Sequence, residues 1–401
     1  MKKRTFLIHF LILISSLLFA ATSASEKAFV KGSLAEKIKI IQNIKDNSIF
    51  PVIKKSLDFS IEHAASLSAD AEFISLTTVT VQALPSEPEK IRQLTVSSQK
   101  LISERLMAIF KIFKNKDLRK SIIEKLNLYS NGDKSLLVDF LNDYLSAAYK
   151  AGESSENVME GAIVTLGQEG NENSLSIIYN IWSSNIWPEY KKSTDEALLL
   201  LSKDSFADVI KIFSISNIVN SAHFFNLLHN SEKISENSLC SIAENVLLIA
   251  INNAEKMKAS DEESKKAFTA LQLETQEVLT KYKWSHASGV INSNVILAKK
   301  AYEDGSMTEE DFIKIIKTSV QIPSSSLAQS LTDMLSECNG KVEVGSADGK
   351  MPAKSVVLAL ISALGVLGDK TAFDTLLTVT YLTYPLEVID AAKESLAKLN
   401  W

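Results

Sequence analysis

Turn-forming residues are scarce in this chain, with thirteen glycines and seven prolines among 401 residues, about 5% where average usage would supply roughly 12%. A fold of many short strands needs more tight turns than that, so a β-sandwich or β-barrel is excluded. Cysteine occurs only at Cys240 and Cys338, too few for a disulfide framework. Neither sign of charge dominates, with 43 basic and 48 acidic side chains, and no basic excess is present to hold nucleic acid. What the chain has in quantity is apolar material. Hydrophobic residues make up 46% and charged residues 23%, a balance that supplies a core and argues against global disorder.

The first residues follow a separate logic. Lys2, Lys3 and Arg4 precede a mostly apolar run from Phe6 to Phe19 and the small residues Ala20-Ala21-Thr22-Ser23-Ala24, the layout of a secretory signal peptide over residues 1–24 with cleavage after Ala24. The run is shorter than the ~20 apolar residues of a membrane span. Membrane contact is therefore expected only if the segment is retained as an anchor. No cysteine follows the run, which disfavours a lipid-anchored form. Losing residues 1–24 removes three basic residues and no acid, taking the formal net charge from −5 to −8. The expected location is periplasmic or secreted.

Two stretches, 198 residues apart, read as one helix-turn-helix unit written twice. Val164 to Leu201 is VTLGQEGNENSLSIIYNIWSSNIWPEYKKSTDEALLLL, and Ser362 to Leu399 is SALGVLGDKTAFDTLLTVTYLTYPLEVIDAAKESLAKL. Leu166-Gly167 aligns with Leu364-Gly365, Gly170-Asn171 with Gly368-Asp369, and Pro188 with Pro385 after a one-residue slip. The interval is close to five units of about 40 residues, so further copies are expected between them. Gly170 and Gly368 are expected in the left-handed conformation that caps a helix end. Leu175, Ile178 and Tyr179, like Phe373, Leu376 and Leu377, form an apolar stripe at spacings of three and four. Pro188 and Pro385 suit the first turn of the next helix, where no backbone donor is needed. That helix carries Tyr190, Thr194, Ala197 and Leu201 on one face, or Ile389, Ala392, Leu396 and Leu399 in the later copy, with small residues that let helices approach closely.

Ala363-Leu364-Gly365-Val366-Leu367-Gly368-Asp369 and Val388-Ile389-Asp390-Ala391-Ala392 resemble HEAT repeats, in particular the HEAT-like repeats of the phycobilin lyases. That pattern runs roughly A-L-G-x-I-G-D-x-x-A, an apolar helix, a proline, then V-R-x-A-A-x-x-A-L-x-x-L. The resemblance is clearest over residues 355–399 and 156–201. KIIQNIKDNSIFPVIKKSLDFSIEHA is a looser third copy with Asp46-Asn47 at the turn. The resemblance implies an all-α fold, an α-solenoid of stacked antiparallel helix pairs forming a HEAT-like superhelix whose second helices line the concave face. Ile389 stands where the family has arginine, which puts the usual Asp/Arg ladder between repeats in question.

The rest of the mature chain reads as helix after helix. Ser33 with Glu36, and Ser260 with Glu263, have the spacing of capping boxes. Asn115-Lys116-Asp117 and Asn131-Gly132-Asp133 read as breaks, and Leu136, Leu137, Phe140, Leu141 and Tyr144 as one apolar helical face. NGKVEVGSADGKM, residues 339–351, is polar and glycine-bearing and reads as a loop. Residues 25–338 are then the main solenoid, and 352–401 a C-terminal repeat completing it. Ser355 to Gly368 is apolar nearly all round but only 14 residues long, a buried repeat helix and not a membrane span.

Candidate chemistry is thin. Gly345 to Met351 has a phosphate loop's look, but its glycine spacing is one short and Met351 stands where a hydroxyl must reach the metal. Asp304 to Asp311 matches half a calcium loop, yet Lys300 and Tyr302 occupy the carboxylate positions, and capping by Thr308 over Asp311 explains the same letters. His223 and His229 lack partners at zinc-site spacing. Ser97 with Lys100 and Ser395 with Lys398 match S-x-x-K without its companion elements. Cys240 and Cys338 lie 98 positions apart, more than two repeats, so two separate, mostly buried thiols are expected although an oxidising compartment allows a bridge. Trp182, Trp187 and Tyr190 cluster around one repeat turn, as core packing or, alternatively, as a partner hot spot. No cofactor or metal site is expected.

These letters point to an exported, noncatalytic HEAT-like scaffold that binds a protein partner in the cell envelope. By the family analogy, the exposed flanks of the two matching helices, Glu189, Lys192 and Glu196 in one and Glu387, Asp390 and Glu394 in the other, would meet that partner. The alternative is a helical-repeat enzyme acting on envelope glycans through acids converging from different repeats.

Overall fold

The computed structural model describes residues 24–44, 49–130, 134–153, 156–257, 261–345 and 351–400. Residues 1–23 of the stretch read as a signal peptide, the Asp46-Asn47 turn, the Asn131 to Asp133 turn and most of the Gly345 to Met351 segment lie outside them. Among the described residues no strand is present, and helices follow one another with short polar breaks. The chain divides into two compact units, before and after the Leu201–Ser202 link.

In the first unit the longer helices are α1 (Leu34–Asn43), α2 (Ile49–Glu62), α3 (Ala71–Ala83), α4 (Val96–Ile112), α5 (Lys116–Tyr129), α6 (Lys134–Ala151), α7 (Asn157–Glu169), α8 (Glu172–Ser184) and α9 (Lys191–Ser202). Odd-numbered helices pack in order, α1 on α3, α3 on α5, α5 on α7, and the even-numbered α2 packs on α4 and α6 on α8. Hairpin contacts between α2 and α3, α4 and α5, and α6 and α7 join the two layers. Their starts are written in side chains: Ser33 makes the full capping box with Glu36, and Asp70, Thr95 and Asn115 each accept a hydrogen bond from the backbone N–H three residues on, satisfying a donor the helix leaves open.

The second unit repeats this plan with α10 (Phe206–Ile215), α11 (Ile218–His229), α12 (Glu236–Met257), α13 (Glu262–Lys281), α14 (Ser288–Glu303), α15 (Glu309–Ser319), α16 (Ser325–Val344), α17 (Lys354–Leu367), α18 (Phe373–Val379) and α19 (Leu386–Leu396). Every helix from α10 to α17 packs on the helix two along, and α12–α13, α14–α15, α16–α17 and α18–α19 pair as hairpins. Two layers built from neighbours alone define an α-solenoid. The protein is an all-α solenoid of stacked helix pairs.

Several local expectations shift. Gly170 is not left-handed: it ends α7 with φ −72° and ψ 177°. Its role is room, because a Cβ there would fall 2.2 Å from the Leu166 carbonyl oxygen and 2.7 Å from Ser174 Cβ. Gly368 does take the left-handed conformation, at φ 64°. Pro188 opens a short 3-10 turn ahead of α9, whereas Pro385 sits one residue outside α19. The α13 cap is Asp261, accepting from Ser264, with Ser260 outside the described residues. The stretch read as a loop from residue 339 stays helical through Val344. Its reason is tertiary: Asn339 is buried, donating to the Thr375 carbonyl at 3.0 Å and accepting from the Tyr384 hydroxyl at 3.2 Å.

Polar groups also thread the second unit's core. Gln276 donates to the Ile315 carbonyl (2.8 Å), its own carbonyl accepts from Asn294 (2.7 Å), and Asn294 in turn accepts from Gln272 (2.7 Å). These three side chains are buried. The Ile315 carbonyl can only accept, so it fixes the direction of each amide in the relay and ties α13, α14 and α15 in one register.

Candidate functional site

The duplicated unit places the candidate faces. Gly167 on α7 faces Ala197 on α9 so closely that a Cβ would lie 2.7 Å from Ala197 Cα. In the other copy a Cβ on Gly365 of α17 would lie 2.8 Å from Ser395 Cβ on α19. Both pairs are offset by the same 198 residues, and the absent side chains are what allow the backbones to meet. Burial follows that interval too. Tyr190, Thr194, Ala197 and Leu201 are buried, and so are Val388, Ala392, Ser395 and Leu399. The later face is therefore rotated from the expected one: Ile389 and Leu396 are only half-buried. Registering that helix on its proline, which carries the one-residue slip, hid this. Ser395 belongs to the seam, donating to the Ile361 carbonyl at 3.0 Å.

On the opposite flank, Glu189, Lys192 and Glu196 are exposed beside α9, as are Glu387, Asp390 and Glu394 on α19. Each trio lies in its own unit. Glu387 pairs with Lys354 of α17, and Asp390 with Lys393 at 3.2 Å. On the surface, neighbouring layer helices are linked by Lys314–Glu277 (3.4 Å) and Lys354–Glu387, and one part-buried Asp/Arg pair, Asp58–Arg105, joins α2 to α4. The exposed pairs contribute little, about 0–1 kcal/mol each, so stacking rests on the apolar seam.

The aromatic cluster is mainly core. Trp187 and Tyr190 are buried, with Trp187 donating to the Glu153 carbonyl at 2.9 Å. Trp182 is half-buried and donates to Asp195, which also holds Lys191. Cys240 and Cys338 are free, and burial pushes each thiol up to about 11. Thr308 caps α15 over Asp311. Among the described residues no cluster of three or more His, Cys, Asp or Glu side chains could hold a metal ion, and no helix is long and apolar enough to cross a membrane.

No family model matches the chain, and no curated protein matches it. Among solved structures it is similar to a circular tandem repeat protein with novel repeat topology and enhanced subunit contact surfaces, at 13% identity over 96% of this chain and 76% of that one, with a TM-score of 0.14.

Proposed function

We propose that this helical repeat protein is an exported, noncatalytic scaffold of the HEAT-like type that binds a protein partner in the cell envelope through the charged flanks of α9 and α19. The supporting observation is the repeated seam. Gly167 against Ala197 and Gly365 against Ser395 anchor one side of each helix in the stack, while the other side leaves Glu189, Lys192, Glu196, Glu387, Asp390 and Glu394 in solvent. A rigidly held helix with a mixed-charge outer flank suits steering and register of a partner more than burial of a substrate. Export rests on the amino-terminal sequence pattern.

Two charge-reversed variants test this, Glu189→Lys/Lys192→Glu/Glu196→Lys and Glu387→Lys/Asp390→Lys/Glu394→Lys. Crosslinking in intact cells followed by mass spectrometry should show a wild-type partner adduct weakened in one or both variants at unchanged melting temperature. Adducts of equal yield in all three proteins would remove these flanks from the proposal. A cytoplasmic, unprocessed chain in fractionated cells would remove the envelope, and turnover of envelope glycans by purified protein would remove the noncatalytic part.

A further inference from the structure

A buried lysine in the first unit has only neutral partners. α3 ends at Ala83, and the chain turns through Leu84-Pro85-Ser86-Glu87. Lys125 of α5 reaches beneath this turn, its ammonium donating to the Leu84 carbonyl and, at 2.6 Å, to the Ser86 hydroxyl. One helical turn on, the Tyr129 hydroxyl donates to the Pro85 carbonyl at 3.0 Å. Lys125 is 8% exposed and forms no ion pair among the described residues; the nearby acid Glu87 is held by Lys90 at 3.0 Å. An ammonium carries three hydrogens, so one is left beyond these two acceptors. Desolvation lowers the pKa of Lys125, with the fields of Glu124 and Glu87 acting the other way.

Beside it lies a cavity of about 490 Å³, within the range of small-molecule sites. Ile41, Ile44, Ile49 and Val79 give it an apolar wall, and Gln42 and Gln82 place amides in the same lining. We propose that this cavity binds a small apolar monocarboxylate, its carboxylate taking the third hydrogen of Lys125 and its hydrocarbon lying on the isoleucine wall. A single unpaired cation matches one negative charge, because Glu87 and Lys90 in the same lining are paired with each other. Bringing a carboxylate to a desolvated ammonium gives a charge-assisted hydrogen bond that the neutral carbonyl and hydroxyl do not supply. The site is independent of the charged flanks on α9 and α19.

Octanoate and octan-1-ol are the probes, titrated calorimetrically into the full chain at neutral pH. Octanoate should bind saturably and at least tenfold tighter than octan-1-ol, and Lys125→Met should abolish that preference. In wild-type protein, octanoate should slow acetylation of Lys125 by an activated acetate ester, read by peptide mass spectrometry, and leave exposed Lys54 unchanged. The labelling arm does not depend on whether Lys125→Met folds. Equal affinity for acid and alcohol, equal octanoate binding by a folded Lys125→Met variant, or unslowed Lys125 acetylation would each overturn the site and leave Lys125 as a clamp on the turn.

Discussion

Gly365 and Ser395 meet where α17 crosses α19, with Ser395 Oγ 2.5 Å from where a glycine side chain would begin. Gly365→Ala should therefore destabilise the protein by about 1–3 kcal/mol, the cost of overpacking a tight contact. Gly340 in α16 has nothing within 4 Å of that position, so Gly340→Ala should be neutral or stabilising by up to ~1 kcal/mol through helix propensity alone. Urea denaturation of both variants checks the pair. Equal effects would mean that the seam is looser than described.

Ala392 is fully buried on the inner face of α19. Ala392→Arg forces a long cation into that contact, at several kcal/mol if it stays unpaired, on the order of 3–5. The variant should melt far below wild type, and wild-type melting would show that α19 turns another face inward.

The amide relay should respond non-additively. Asn294→Leu alone leaves Gln272 and Gln276 facing an apolar side chain and should cost about 2–4 kcal/mol. Replacing Gln272, Asn294 and Gln276 together by leucine should cost much less than the sum of the three single changes. Denaturation midpoints across this set decide it, and additive losses would show three independent hydrogen bonds.

Both thiols titrate at about 11 in the folded chain, against ~8.5 for a free cysteine. A raised native pKa means that the neutral thiol is favoured by folding. The resulting stability is complete below pH ~8.5 and is lost as the pH rises towards 11. At neutral pH, Cys240 and Cys338 should react slowly with a disulfide reagent until urea is added, then yield two thiols per chain. Fast reaction of folded protein would contradict their burial.

Repeat identity was legible in the letters because its determinants are local: a glycine where helices touch, a polar cap, and apolar spacings of three and four. Ser33 and Thr308 were readable as caps for the same reason, and Asn115 as a break between helices. What stayed hidden depends on partners distant in sequence. Asn339 looks like a helix breaker until Thr375 and Tyr384 satisfy it. Gln272, Gln276 and Asn294 look like surface residues until their chains are seen joined. Lys125 gives no signal among ordinary helical lysines, since nothing in its neighbours announces the turn at Leu84, 41 residues earlier. The charged flanks came from the family resemblance, and what the structure adds is that these six side chains are exposed.

Because most helices rest on the one two places along, most contacts join residues close in the chain. Such low contact order favours rapid assembly, and each unit should unravel from an end inward, terminal pairs exchanging their amide hydrogens long before central ones.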